Sequence, residues 1–116
     1  MKLHEVKEIL DAEVLVGEEM LDMEVKMAFG ADLMSDVLAF AKPGSLLLTG
    51  LTNDQVVRTA DIIEIAAIVM VRGKKPTPEA IKLAKELNIP ILATKYILFD
   101  TAGRLYTKGI VGSLEK

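Results

Sequence analysis

Three short apolar runs dominate the second half of the chain: LLLT at Leu46–Thr49, AAIVMV at 66–71 and IPILAT at 89–94. None alternates with polar residues as a half-exposed strand would. Each therefore fits a strand covered on both faces, as in a parallel sheet flanked by helices. The residues between them keep a helical period. One helix is predicted over 53–64, presenting Val56, Ala60 and Ile63 on one side. A second is predicted over Pro78–Leu87, presenting Ala80, Leu83, Ala84 and Leu87. Strand, helix, strand, helix, strand makes two consecutive βαβ units, whose crossovers should be right-handed.

The helix starts carry their own signals. Thr52-Asn53-Asp54-Gln55 reads as a capping box, with Thr52 as N-cap and Gln55 reaching back. Thr77-Pro78-Glu79 supplies a capping hydroxyl, a proline at the first helical position and an acid in the first turn. Pro90 opens its strand, where a missing N–H is tolerated.

In the first half, Leu3, Val6, Ile9 and Leu10 predict a short N-terminal helix, and Glu13–Val16 a strand. The alternation Met23-Glu24-Val25-Lys26-Met27 predicts a half-exposed edge strand. Leu33, Met34, Val37, Leu38 and Ala41 make a helix that Lys42-Pro43-Gly44 ends. After Thr94, the residues Leu98, Thr101, Ala102 and Leu105 keep helical spacing, with Gly109 as a stop. The expected fold is a single α/β domain over 1–116. Its central sheet is mostly parallel, with helices on both faces and an N-terminal edge strand.

Composition narrows the functional classes. A chain of 116 residues fits one domain. With no cysteine there is no disulfide, thiolate nucleophile or thiolate-bound metal, and one histidine, His4, cannot build a multi-histidine site. A net charge of -3 disfavours a broad nucleic-acid surface. No apolar run approaches the roughly 18 residues of a membrane span. The opening MKLHEVKEIL lacks a signal peptide's hydrophobic block, which argues for the cytoplasm. The acids Asp54, Asp61, Glu64 and Asp100 show no metal-ligand or acid/base spacing, so the chain reads as a non-enzyme without a cofactor.

The topology also says where a ligand would sit. In an open α/β sheet, loops leaving the carboxyl ends of parallel strands collect on one edge. Three such loops are predicted here: Thr49-Gly50-Leu51-Thr52-Asn53, Arg72-Gly73-Lys74-Lys75 and Thr94-Lys95-Tyr96. Each leads into a helix and so brings unpaired N–H groups and a positive dipole end. Glycine admits close approach, and four cations line the rim. This composition suits a phosphate- or nucleotide-sized anion, without the spacing of a P-loop. The bland alternative has glycines turning the chain, threonines capping helices and lysines left in water. Arg72 is the central candidate, with an ion pair to Asp54 or Glu79 as its structural alternative. Met20, Met23, Met27 and Met34 suit either core filling or an adaptable surface. A methionine-rich edge strand would favour homodimerisation.

The order of these motifs resembles the DRTGG domain family. Gly30-Ala31 precedes a helix; Lys42-Pro43-Gly44 leads into Leu46–Thr49 and Gly50; an apolar strand runs into Arg72-Gly73-Lys74-Lys75-Pro76; and Ile89-Pro90-Ile91-Leu92-Ala93-Thr94 is followed by Tyr96 and Asp100. The resemblance covers most of the chain, roughly from Val6 to Ile110. The family's Asp-Arg pair aligns with Thr52-Asn53, and its Thr-Gly-Gly turn with Val71-Arg72-Gly73, so only Gly73 is retained. The resemblance implies an α/β fold similar to the N-terminal domain of HPr kinase and a non-catalytic accessory role. Relatives sit beside CBS domains in regulated inorganic pyrophosphatases, and on phosphate acetyltransferases and cobyrinic acid synthases. In the pyrophosphatases the domain belongs to a dimeric region that binds adenine nucleotides. This spelling of the motifs also resembles a stand-alone subgroup associated with hydrogenase and electron-transfer proteins.

Two readings follow. One is a regulatory module binding a small anion, such as an adenine nucleotide, through Thr49, Gly50, Thr52, Asn53, Arg72, Gly73, Lys74, Lys75 and Thr94. The other is a homodimeric interaction module with no small ligand.

Overall fold

A computed structural model describes residues 1–113. Six strands form one sheet in the order β1-β5-β4-β3-β2-β6. The strands are β1 (Glu13–Val16), β2 (Met27–Gly30), β3 (Leu46–Thr49), β4 (Ala67–Met70), β5 (Ile91–Ala93) and β6 (Val111–Gly112). The helices are α1 (Leu3–Ile9), α2 (Met34–Phe40), α3 (Asp54–Ile62), α4 (Pro78–Leu87) and α5 (Leu98–Tyr106). Among the six strands of the described residues, β1 alone runs against its neighbour, β5, and the other pairings in the sheet are parallel.

Connectivity explains the layers. From β2 through β5 each crossover steps to the next strand in the same direction. Right-handed crossovers of that kind must put α2, α3 and α4 on one face. There Val37, Val56, Ala60, Ala80 and Ala84 pack on Leu47, Ile68, Met70 and Ile91. After β5 the chain turns to the opposite face, forms α5 and reaches the far edge as β6. On that face α1 and α5 bring Leu3, Val6, Leu10 and Leu105 onto Leu46, Leu48, Ala67, Val69 and Leu92. Alternate residues of each central strand thus feed two separate cores, and β3 and β4 are buried at every position.

The sequence reading holds for the three central strands and for α4, whose Thr77 hydroxyl accepts from the Ala80 N–H at 3.2 Å. Three details differ. The N-cap of α3 is Asn53 rather than Thr52, with the Asn53 side chain accepting from Val56 N at 3.4 Å. The alternating segment 23–27 is extended, but it pairs with the N-terminus: Leu3 N donates to Met23 O at 2.9 Å and Val25 N to Met1 O at 2.7 Å. Its burial alternates as expected, with Val25 inside and Glu24 and Lys26 outside. The sheet strand begins only at Met27 and lies between β3 and β6, so the N-terminal edge strand is β1. β6 itself has no sequence counterpart, because two residues are too few to show a period. Gly109, at φ 109°, supplies the left-handed turn that leads from α5 into it.

The edge strand β1 has a register irregularity between Val14 and Val16, which breaks up the row of unpaired groups there. At its end Gly17 takes φ 91°. A Cβ at Gly17 would lie 2.9 Å from Pro90 Cα, so glycine is required on both counts.

Candidate functional site

The carboxyl ends of β2, β3, β4 and β5 deliver loops 31–33, 50–53, 71–77 and 94–97 to one edge of the sheet. Neighbouring β4 and β5 send their helices to opposite faces, which is where an open α/β sheet forms its crevice. Here backbone hydrogen bonds bridge that crevice. Arg72 N donates to Tyr96 O at 2.8 Å, and Gly73 N to Thr94 O at 2.9 Å. Consecutive left-handed residues, Arg72 at φ 64° and Gly73 at φ 68°, aim both N–H groups at the neighbouring loop.

Thr49, the last residue of β3, and Thr94, the first after β5, are both buried at the carboxyl ends of their strands. Each hydroxyl accepts from the N–H two residues on, Leu51 at 3.2 Å and Tyr96 at 3.4 Å. Each also donates, Thr49 to Asp32 Oδ1 at 3.0 Å and Thr94 to Leu10 O at 2.7 Å. Both hydroxyls are therefore engaged inside the protein. Thr52 O accepts from Thr77 N at 3.0 Å, which ties the β3 and β4 loops together.

Arg72 and Gly50 touch. A Cβ on Gly50 would lie 3.1 Å from Arg72 Cζ and 3.2 Å from Nε, so the guanidinium rests on the glycine backbone. Among the described residues Arg72 makes no ion pair: Asp54 pairs with Arg58 at 3.4 Å, and Glu79 is in no salt bridge. Lys74 is exposed beside it. Lys75 is drawn off to β1, where Nζ lies 2.7 Å from Glu13 Oε1. The edge thus gathers Gly50, Thr52, Asn53, Arg72, Gly73 and Lys74 around the β3–β4 loops. Thr49 and Thr94 lie beneath, and Lys75 is diverted. Tyr96 packs against the second core, with the Arg104 guanidinium 3.9 Å above its ring centre.

Sequence reasoning missed Asp32. Its Oδ1 accepts from Gly50 N at 2.8 Å as well as from Thr49, so one carboxylate oxygen holds the β3 loop on the β2 loop. The signal was available: Gly30-Ala31-Asp32 lies between a strand and a helix, like Thr49-Gly50 and Arg72-Gly73. It was obscured because the strand was placed at 23–27, too early for its end to reach this loop. Among the described residues no group of three His, Cys, Asp or Glu side chains could hold a metal ion, and no helix is long and apolar enough to cross a membrane.

A mostly parallel sheet with helices on both faces, and four loops laced together at one edge, defines an open α/β domain. Residues 5–107 match the model of the DRTGG domain, and the chain belongs to that family. It is 31% identical over 103 residues to "Uncharacterized protein YtoI" of Bacillus subtilis (strain 168). That match covers 87% of this chain but only 23% of the Bacillus protein. It is also similar to the crystal structure of the CBS and DRTGG domains of the regulatory region of Clostridium perfringens pyrophosphatase, complexed with the activator diadenosine tetraphosphate. The TM-score is 0.77 at 20% identity, over 99% of this chain and 50% of that one. Thr52-Asn53 and Val71-Arg72-Gly73, which the sequence resemblance sets against the family's Asp-Arg and Thr-Gly-Gly, fall on the β3–α3 and β4–α4 loops.

Proposed function

We propose that this chain is a non-catalytic regulatory domain that takes a phosphate-bearing ligand, of the adenine-nucleotide class, at the carboxyl edge of β3 and β4. The observation that carries this is the Arg72 guanidinium, without an ion pair among the described residues and resting on Gly50 at the edge. An unpaired planar fork beside a side-chain-free backbone suits a bidentate phosphate contact. Lys74 and the start of α3, at Thr52 and Asn53, complete the ligand's surroundings. Gly73 shapes the turn, while Thr49 and Thr94 are framework, and Lys75 is held toward β1 by Glu13. The regulatory part of the reading draws on the family and on the pyrophosphatase regulatory region, whose described activator is a dinucleotide. The same reading gives the domain no nucleic-acid or membrane partner and places it in the cytoplasm.

A thermal-shift titration with adenosine mono-, di- and triphosphates, diadenosine tetraphosphate and inorganic phosphate tests it. At a hundredfold excess over Kd a ligand adds about 2.7 kcal/mol, a plainly measurable rise in Tm. The rise should vanish in Arg72→Ala. If none of these anions raises Tm, the ligand reading fails.

One observation favours a second reading, a homodimeric interaction module. Phe99 and Tyr106 are 81% and 59% exposed on α5, beside an apolar cavity that none of the predicted ligand residues lines. Such a module would serve a partner protein, with an electron-transfer component as the class the family resemblance suggests.

A further inference from the structure

The surroundings of Arg72 limit how a ligand can lie on it. In an open α/β sheet a ligand usually enters between the strands whose helices go to opposite faces, here β4 and β5. That entry is bridged, because Arg72 N and Gly73 N already donate to Tyr96 O and Thr94 O. On its other side the guanidinium rests on Gly50. A ligand held by the fork therefore extends over Gly50, from the β4 loop toward the β2 loop.

Asp32 stands on that path. Its Oδ1 accepts from Gly50 N at 2.8 Å and from the Thr49 hydroxyl at 3.0 Å, which fixes the carboxylate relative to Gly50. Among the described residues its Oδ2 accepts no hydrogen bond, and the carboxylate is in no salt bridge. Asp32 and Arg72 are both exposed, while Gly50 between them is buried. The backbone geometry of that one residue keeps carboxylate and guanidinium within about 8 Å of each other, yet they do not pair.

Two unpaired opposite charges on either side of one glycine select the chemistry of what bridges them. An ionised carboxylate only accepts hydrogen bonds, and it repels a second anion. A chain of phosphates running from Arg72 toward Asp32 would meet that repulsion. A single phosphate followed by hydroxyl groups would not, and a hydroxyl donating to Oδ2 would make a charge-assisted bond. We propose that Asp32 is a specificity-determining residue of this edge, its free oxygen taking the sugar hydroxyls of a ribose 5-phosphate unit whose phosphate lies on Arg72. One ribose is long enough to reach from one group to the other. Adenosine monophosphate and free ribose 5-phosphate share this chemistry. The inference rests on the ligand reading above and adds to it a contact to the sugar.

Calorimetric titration of the full chain with adenosine monophosphate, 2′,3′-dideoxyadenosine monophosphate, ribose 5-phosphate and inorganic phosphate tests it. The wild type should bind adenosine monophosphate at least roughly tenfold tighter than the dideoxy compound, which probes the contact without altering the protein. Ribose 5-phosphate should likewise bind tighter than inorganic phosphate. Asp32→Asn keeps a carbonyl for Gly50 N and Thr49 but puts an amide NH2 where Oδ2 stood. In that variant the preference for the diol should largely disappear, while inorganic phosphate should bind no more weakly. If the wild type binds none of the four compounds, the ligand reading fails and this inference with it. If Arg72→Ala abolishes binding but the wild type shows no preference for the diol, or Asp32→Asn keeps that preference, this inference alone is overturned. Equal tightening of adenosine monophosphate and inorganic phosphate in Asp32→Asn would also overturn it, since Asp32 would then only compete for Arg72.

Discussion

Arg72 and Gly50, on adjacent loops, are packed together so closely that a Cβ on the glycine would come within 3.1 Å of the arginine's Cζ. The obstacle is the far end of a flexible, exposed side chain, so Gly50→Ala should displace the guanidinium with little cost to the fold. The expected change in stability is within about 0.5 kcal/mol. Calorimetry with the best nucleotide from the thermal-shift series should show weaker binding in this variant, although Arg72 itself is still present.

Arg72 holds φ 64°, a conformation that costs a non-glycine residue about 1 kcal/mol. Arg72→Ala and Arg72→Gly should therefore part company. Both remove the guanidinium and should abolish the ligand-induced rise in Tm. Urea denaturation should find the glycine variant more stable than the alanine variant by about 1 kcal/mol, less the greater freedom of its unfolded chain.

Asp32 holds the Thr49 hydroxyl and the Gly50 N–H on one oxygen. Asp32→Ala leaves both donors without this partner at a part-buried site, a loss of about 1–3 kcal/mol. Asp32→Asn keeps a carbonyl oxygen in place and should retain most of the stability. Equal losses in thermal unfolding for the two variants would contradict this account.

Lys75 faces Glu13 across an exposed ion pair. Such pairs contribute about 0–1 kcal/mol, so Lys75→Ala should barely move Tm. It should also weaken nucleotide binding less than Lys74→Ala or Arg72→Ala. A larger effect at Lys75 would mean that the ligand recruits it away from β1.

Thr94 ties the loop after β5 to α1 through its 2.7 Å bond to the Leu10 carbonyl. Thr94→Val keeps the shape but leaves that carbonyl without its hydroxyl donor, at a cost of about 1–3 kcal/mol. Thr94→Ser should restore much of it. Hydrogen exchange should show faster opening of α1 in the valine variant.

Apolar runs without alternation can be buried only on both faces, so β3, β4 and β5 were legible. Thr77-Pro78 marked the start of α4 because capping is a local matter, settled within four residues. At α3 two adjacent residues could both cap, and local chemistry did not choose between Thr52 and Asn53. The period of 23–27 was real, but a period reports which side is buried, not which strand lies alongside. The N-terminal stretch took that pairing, and β2 began at Met27.

The candidate site divides in the same way. By itself the sequence determined that loops with glycine, threonine and cations follow buried parallel strands, and hence that they share one edge. Tertiary structure decided how their polar groups are used. Arg72 N and Gly73 N donate to carbonyls of the β5 loop, Asp32 takes the Gly50 donor, Glu13 draws off Lys75, and the Arg72 guanidinium is left resting on Gly50. Composition could not reveal this, because a hydrogen-bond donor is free or engaged according to which distant carbonyl the fold places within 3 Å of it.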